Sequence, residues 1–297
     1  MVIYQHPLAY LIGLEGLALL RAWAGDYDYD ERFVRARLAE VERLLDDERL
    51  TDHPGVLVER GATGAAYRQW SARYDEPNGL FDIDEPILDE IIDQLPIGDA
   101  LDAACGTGRL AARLVQRGHR VVGVDGSLEM LQQARRRLPD TDFLTGDLQR
   151  LPVADASVDL VVTGLALTHV ADLEPVFAEF ARVLRRDGQL VVSDAHDALV
   201  LLGSVVKAEG PDGQPQLATT HRHTVADFLR AALTTGFSVR RFEELPRPTA
   251  PEGTPQEPTD EIGSWPDWPW TLLGLVPEAT RAAWNNPAMT IWHFQLG

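Results

Sequence analysis

Along residues 6–23 the apolar side chains Leu8, Leu11, Ile12, Leu14, Leu17 and Leu20 crowd almost every face of a helical wheel. That pattern predicts a helix buried by other helices or by a second subunit. Residues 30–48 carry a narrower stripe (Phe33, Leu38, Val41, Leu44, Leu45) between arginines and acids, the signature of an amphipathic helix. His53-Pro54-Gly55 breaks the period, a third helix is predicted over 65–74, and Asp84-Glu85-Pro86 opens a fourth that runs to Leu95, because acids and proline suit a first turn. After Pro96 short apolar runs alternate with helical stretches. Strands are predicted at 100–104, 121–124, 142–144, 158–162 and 189–193, with helices at 109–116, 127–138 and 173–184 between them. A helix at 225–235 and strands at 237–243 and 289–295 continue the series.

Such alternation predicts an α/β fold, a parallel sheet with helices on both faces. Residues 1–96 are expected to form an N-terminal helical cap or dimerisation region, and residues 97–297 the core. Two connections are too long for this scheme, at 197–220 and 245–287. The second holds Trp265, Trp268, Trp270 and Trp284, with Trp292 just beyond, a richness foreign to disordered segments, so both insertions are read as lids. Their aromatics serve either to line a pocket for an apolar or planar molecule or to anchor the insertion.

Composition narrows the classes. The 297 residues are 45% hydrophobic and 25% charged, as in ordinary globular proteins, and a net charge of −19 disfavours a nucleic-acid partner. The single cysteine, Cys105, makes no internal disulfide and fits a reducing compartment. The apolar run 8–20 imitates a signal peptide but lacks a basic start and is interrupted by Glu15; it is also shorter than the roughly 20 residues a membrane span needs. A cytoplasmic protein without a membrane partner is expected.

Gly106-Thr107-Gly108-Arg109-Leu110-Ala111 fits a dinucleotide-type glycine turn after a strand, and Asp125 follows Gly106 at the distance of a ribose-binding acid. Neither separates a dinucleotide from an adenosyl ligand. Asp102, at the tip of the first core strand, does: a carboxylate there repels a pyrophosphate and suits a ligand carrying ammonium and sulfonium charges. Gly146-Asp147-Leu148 adds an acceptor and an apolar cover for an adenine. Together with Val124-Asp125, LPVADASVDLVVTG and VLRRDGQLVVSD, these motifs resemble the class I S-adenosylmethionine-dependent methyltransferases, in the branch of ubiquinone and menaquinone methyltransferases and many small-molecule enzymes. The resemblance covers about residues 101–194 and implies a Rossmann-like sheet of seven strands, the last antiparallel, here 289–295.

By that resemblance Asp102, Ala104, Gly106 and Gly108 hold the methionine part of S-adenosylmethionine, Asp125 and Gly126 the ribose, and Asp147, Leu148 and Leu165 the adenosyl environment, with Ser127 capping the next helix. Methyl transfer needs mainly alignment and exclusion of water, with a general base optional. Candidates for the base are His169, His196 and His221, all expected beyond the carboxyl ends of strands. Tyr67, Trp70 and Tyr74 share a helical face and, with His169, His196, Trp265 and Trp268, are candidates for substrate contact; core packing explains the Tyr67-Trp70-Tyr74 stripe equally well. His221 and His223 offer only two metal ligands, so no metal is expected, and His223 reads as a solvent-exposed loop residue. The expected function is methyl transfer to oxygen, nitrogen or carbon of a small, largely apolar or aromatic metabolite of the natural-product type. The alternatives are a cofactor-binding protein of this fold with a non-methylating role such as cyclisation, and an NAD-dependent oxidoreductase. A homodimer through the N-terminal helices is a further expectation.

Overall fold

The computed structural model describes residues 2–26, 29–70, 74, 79–210, 212–246, 258–284 and 286–297, without the side chains of 65, 68–70 and 284. The chain forms two compact units, one of residues 1–61, 206–217 and 246–286, the other of 62–205, 218–245 and 287–297. The division thus falls at 61/62 and not at the expected 96/97, and much of both insertions joins the N-terminal residues.

The first unit contains β1 (Val2–Gln5), α1 (Pro7–Ala24), α2 (Glu31–Asp46), α3 (Glu48–Thr51) and β2 (Val56–Gly61), and later in the chain β8 (Lys207–Glu209), β9 (Pro215–Ala218) and α11 (Pro277–Trp284). Strands β1, β2, β9 and β8 form, in that order, a four-stranded sheet that the hydrophobic pattern does not predict. Each is six residues or fewer, too short for alternation to register, and β2 pairs with a strand more than 150 residues away. Asp30 caps α2 through Phe33 N at 3.0 Å. Helix α1 packs on α2 and α11 through Leu11, Leu14 and Ala18. At 18 residues it exceeds the apolar run that predicted it and, among the described helices, is by length and composition able to cross a membrane, so the expectation of too short a segment does not hold on those grounds. Leu20 and Trp23 on it are exposed.

The face of α1 that α2 covers holds an ion pair: Glu15 Oε1 accepts from Arg37 Nη1 at 3.1 Å, and Arg37 Nη2 donates to Glu278 at 2.9 Å. Burial outweighs the arginine and raises the Glu15 carboxyl to about 7. Of the insertion tryptophans, Trp265 and Trp268 are buried in the same unit, whereas Trp270 is exposed. Trp265 Nε1 donates to Gln5 Oε1 at 2.7 Å and Trp268 Nε1 to Ile262 O at 3.0 Å. Lys207, the only lysine, donates to the carbonyls of Trp265 and Trp268. Its ammonium lies 4.9 Å from the Trp265 ring centroid.

The second unit contains α4 (Thr63–Trp70), α5 (Gly79–Asp93), β3 (Asp99–Ala103), α6 (Arg109–Gln116), β4 (Arg120–Asp125), α7 (Leu128–Arg137), β5 (Asp142–Thr145), β6 (Val158–Gly164), α8 (Leu173–Val183), β7 (Leu184–Ala195), α9 (Asp197–Leu201), α10 (Val225–Thr234), β10 (Phe237–Pro246) and β11 (Pro287–Leu296). Its seven-stranded sheet has the order β10-β11-β7-β6-β3-β4-β5, with β3 to β7 parallel and β11 antiparallel to β7, as expected. Successive residues feed opposite faces: Val161, Leu190, Val192, Trp292 and Phe294 join one core with Phe177 and Phe228, while Leu160, Val162, Val191 and Ile291 join another with Leu88 and Leu114. Burial on both faces is why these strands read as continuous apolar runs. Two helix boundaries differ from expectation. Helix α5 (Gly79–Asp93) includes residues ahead of the predicted start at Asp84, with Pro86 inside it, and α4 covers Thr63–Trp70, starting ahead of the predicted 65, while residues 71–73 lie outside the described residues.

Because Glu15 holds its proton to about pH 7 in the folded state against 4.5 in open water, the folded state binds the extra proton between those values. Folding stability is therefore greatest below the lower value and falls by up to about 3 kcal/mol as pH rises through the upper one. Denaturant unfolding followed at acid and at mildly alkaline pH should show a loss about 3 kcal/mol larger in the wild type than in Glu15→Gln, which keeps the losses of other buried carboxyls such as Asp102 and Asp194; equal losses in both would contradict the assignment.

Candidate active site

Sheet order reverses at β3, with β4 and β5 on one side and β6 and β7 on the other, the place where open α/β sheets bind ligands outside the carboxyl ends of the strands. There the second unit has a cavity of about 330 Å³, the size of a small-molecule site. Its wall includes Ala104, Gly106, Asp125, Gly126, Asp147 and Leu148 from the strand ends and Leu165 after β6. Tyr67, Tyr74 and His169 also face it.

The backbone is bent to make this wall. Gly106 and Gly108 have φ +53° and +81°, and Ala104 and Leu165 are held at φ +59° and +56°, where a Cβ is strained. Two of the four described non-glycine residues with positive φ thus line one cavity. A Cβ on Gly106 would meet nothing nearer than Tyr74 at 4.0 Å, so this turn presents bare backbone to the space beneath the tyrosine.

Three carboxylates sit at the strand ends, each held by backbone N–H groups. Asp102 Oδ2 accepts from Ala111 N in the first turn of α6 at 2.7 Å. Asp125 accepts from Gly106 N and Ser127 N, both at 2.8 Å. Asp194, at the end of β7, accepts from Thr168 N at 2.7 Å and Ala195 N at 2.8 Å. Burial raises Asp102 and Asp194 to about 7 and raises Asp125 as well. Asp102 is buried beneath the glycine turn, 1% exposed, and is not among the residues that line the cavity. It acts on the space through its field and through the helix it caps.

The buried cation nearby is already paired. Arg109, first residue of α6, donates to both oxygens of Asp84 at 2.9 and 2.8 Å and stacks 4.2 Å from the Phe81 ring centroid. Asp84 also accepts from Ser193 Oγ at 2.8 Å. This clamp ties α5 and β7 to the residue that follows the glycine turn. Sequence reading missed it because Asp84 looks like a first-turn residue and its partners are distant along the chain.

The candidate histidines separate. His169 faces the cavity; its Nδ1 lies 2.9 Å from Thr219 O and its Nε2 2.7 Å from Tyr67 Oη. His196 instead caps α9, accepting from Ala198 N at 3.0 Å and donating from Nε2 to Glu244 at 3.1 Å. His221 borders a different, polar cleft with Asp172, Glu174 and Arg230, and its N–H donates to Thr168 O at 2.7 Å. His223 is not the exposed loop residue expected: half-buried, it donates to Leu167 O and Val170 O and so braces the turn that carries His169. Among the described residues no group of three His, Cys, Asp or Glu is placed to hold a metal. Ser127 caps α7 as predicted. Asp147 Oδ1 accepts from Gln149 N at 2.7 Å. Trp265 and Trp268 lie in the first unit, and the Trp70 side chain lies outside the described residues.

Comparison with known proteins gives concordant results. Residues 101–192 match the family model described as a methyltransferase domain. The chain is 31% identical over 197 residues to malonyl-[acyl-carrier protein] O-methyltransferase of Yersinia pestis, covering 65% of this chain and 73% of that one. It is 33% identical over 135 residues to demethylmenaquinone methyltransferase of Renibacterium salmoninarum, covering 44% of this chain and 57% of the relative. The chain therefore spans just under three-quarters of the first relative and little more than half of the second. A solved S-adenosylmethionine-dependent methyltransferase from Mesorhizobium loti shares the fold at TM-score 0.51 and 22% identity, over 73% of this chain and 99% of its own.

Replacing Asp84 by alanine takes the bidentate partner from the buried Arg109 and leaves it only Glu85 at 3.1 Å, a change that costs about 3 kcal/mol, the low end for a broken buried pair. A fall in thermal stability of that size is expected for Asp84→Ala, with Ser193→Ala costing about 1 kcal/mol through the loss of one hydrogen bond. A melting temperature unchanged in Asp84→Ala would show that the clamp does not hold the turn.

Proposed function

The chain belongs to the class I S-adenosylmethionine-dependent methyltransferases, and on that premise we propose that it transfers a methyl group from S-adenosylmethionine to a small, largely apolar or aromatic metabolite. The observation that carries the proposal is a cavity at the strand ends lined by Asp125 and Asp147, with Asp102 and Asp194 buried at neighbouring strand ends, whose described lining includes no arginine or lysine. Such a field favours a sulfonium and an ammonium and repels the pyrophosphate of a dinucleotide. The chemistry the cofactor supplies is an activated methyl group on a positively charged sulfur. In this reading the bare backbone of Gly106, beside the small Ala104, lets the methionine part approach, Asp125 accepts from ribose hydroxyls, and Asp147 accepts from the adenine amino group beside Leu148. Leu165, Val170, Met130 and the tyrosine rings give the rest of the cavity its apolar surface. His169 and the tyrosines are then the residues nearest an acceptor. Alignment of the acceptor and exclusion of water from this enclosure are what the protein contributes to the rate.

Calorimetric titration tests this. S-adenosylmethionine and its demethylated product are expected to bind and NAD not to bind, with Asp125→Ala weakening the sulfur ligands roughly 10–100-fold through loss of a charged hydrogen bond. Asp102 and Asp194 both titrate near 7, so a cation placed among them drives protons off. Affinity for the sulfonium form should therefore rise from about pH 6 to about pH 8, with net proton release, more than affinity for the neutral thioether product. Binding of NAD in preference to either sulfur ligand would overturn the proposal.

A further inference from the structure

Tyr67 and His169 come from positions 102 residues apart and meet at the cavity wall, rings at 82° with centroids 5.2 Å apart. Their proton positions follow from their partners. Thr219 O can only accept, so His169 Nδ1 carries the hydrogen; Nε2 is then an acceptor, and the Tyr67 O–H donates to it. Burial keeps both members neutral, holding the imidazole below its usual range and, with Tyr74, Asp194 and Asp125 nearby, the phenol well above its own. The imidazole is held in register by the turn that Asp194 and His223 fix, through Thr168 N and the carbonyls of Leu167 and Val170.

A neutral phenol that donates to a neutral imidazole is a proton relay: Oη can accept a proton from a third group while passing its own to Nε2. Such a relay is useless to an acceptor that arrives as an anion, and a carboxylate would find the side chains of Asp125 and Asp147 on the wall and no arginine or lysine among its described residues. It is suited to an acceptor that arrives uncharged and must lose a proton to react. Resting on the methyl-transfer reading, we propose that the acceptor is a neutral aromatic hydroxyl compound, selected against carboxylates, and that Tyr67 takes its proton and relays it to His169.

The balance closes within the site. The acceptor O–H bond breaks and its proton goes to Tyr67 Oη, while the Tyr67 proton goes to His169 Nε2. The acceptor oxygen forms its new bond to the methyl carbon with the freed electron pair, and the pair of the broken carbon–sulfur bond stays on sulfur. One positive charge disappears at sulfur and one appears on the imidazolium, whose Nδ1–H remains on Thr219 O. The cavity charge is therefore unchanged across the step. A carboxylate acceptor would instead cancel the cation and leave the relay unused.

The test uses the whole protein saturated with the demethylated product S-adenosylhomocysteine, and the isosteric probes 2-naphthol and 2-naphthoate, titrated into wild type, Tyr67→Phe and His169→Ala. The wild type should bind 2-naphthol at least tenfold more tightly than 2-naphthoate, and Tyr67→Phe should lose most of that preference. Turnover of 2-naphthol with S-adenosylmethionine should fall at least a hundredfold in His169→Ala, with the pH profile of the residual rate moving toward alkaline pH as the probe must ionise unaided. Equal or tighter binding of 2-naphthoate, absence of binding of both probes to the loaded protein, or a preference unchanged in Tyr67→Phe would each overturn the proposal. Titration of S-adenosylhomocysteine alone into each folded protein separates the two readings, since failure of wild type to bind it defeats the methyltransferase function itself, whatever the probes do.

Discussion

The second unit is organised around carboxylates that are buried without cations. Asp102, Asp125 and Asp194 stand at the carboxyl ends of β3, β4 and β7, and what stabilises them is backbone N–H: the first turn of α6, the glycine turn, and the segment around Thr168. This arrangement does two things at once. It fixes the loops that follow β3, β4 and β6, because these supply backbone donors to Asp125 and Asp194. It also leaves each of the three without a directly paired cation, and burial raises the proton affinity of all three. Arg109 could have served as such a cation, but Asp84 already occupies it.

From that constraint the chemistry follows. A ligand carrying a positive charge relieves the field, whereas a pyrophosphate or carboxylate aggravates it. Strain at Ala104 and Leu165 and the open backbone at Gly106 are the steric counterpart, since they bring main chain to the cavity surface where a side chain would fill it. The Tyr67 and His169 pair, hydrogen-bonded and neutral at rest, is the part of the described wall to which the proposed proton relay is assigned.

The sheet was legible in the sequence because its central strands are buried on both faces. Val158–Gly164 and Pro287–Leu296 read as apolar runs bounded by turns, and their observed limits lie within two residues of the expected ones. The sheet of β1, β2, β8 and β9 was not, because three- to six-residue strands carry little periodicity and find their partners across distant parts of the chain. Site residues divide in the same way. Asp125 and Asp147 stand at strand ends, which spacing marks out, and both line the cavity. His196 looked equivalent to His169 by that criterion, yet one hydrogen bond to Ala198 N makes it a helix cap. The bond between Tyr67 and His169, and the burial of Trp265 and Trp268 in the first unit, depend on tertiary contacts that no local pattern encodes.

The most direct test of the central claim is a crystal structure of the protein with S-adenosylhomocysteine. The account predicts the ribose on Asp125, the adenine between Asp147 and Leu148, and the sulfur facing Tyr67 and His169 over the glycine turn. Ligand density outside this cavity, or a nucleoside placed with its sulfur away from the tyrosine and histidine, would contradict it.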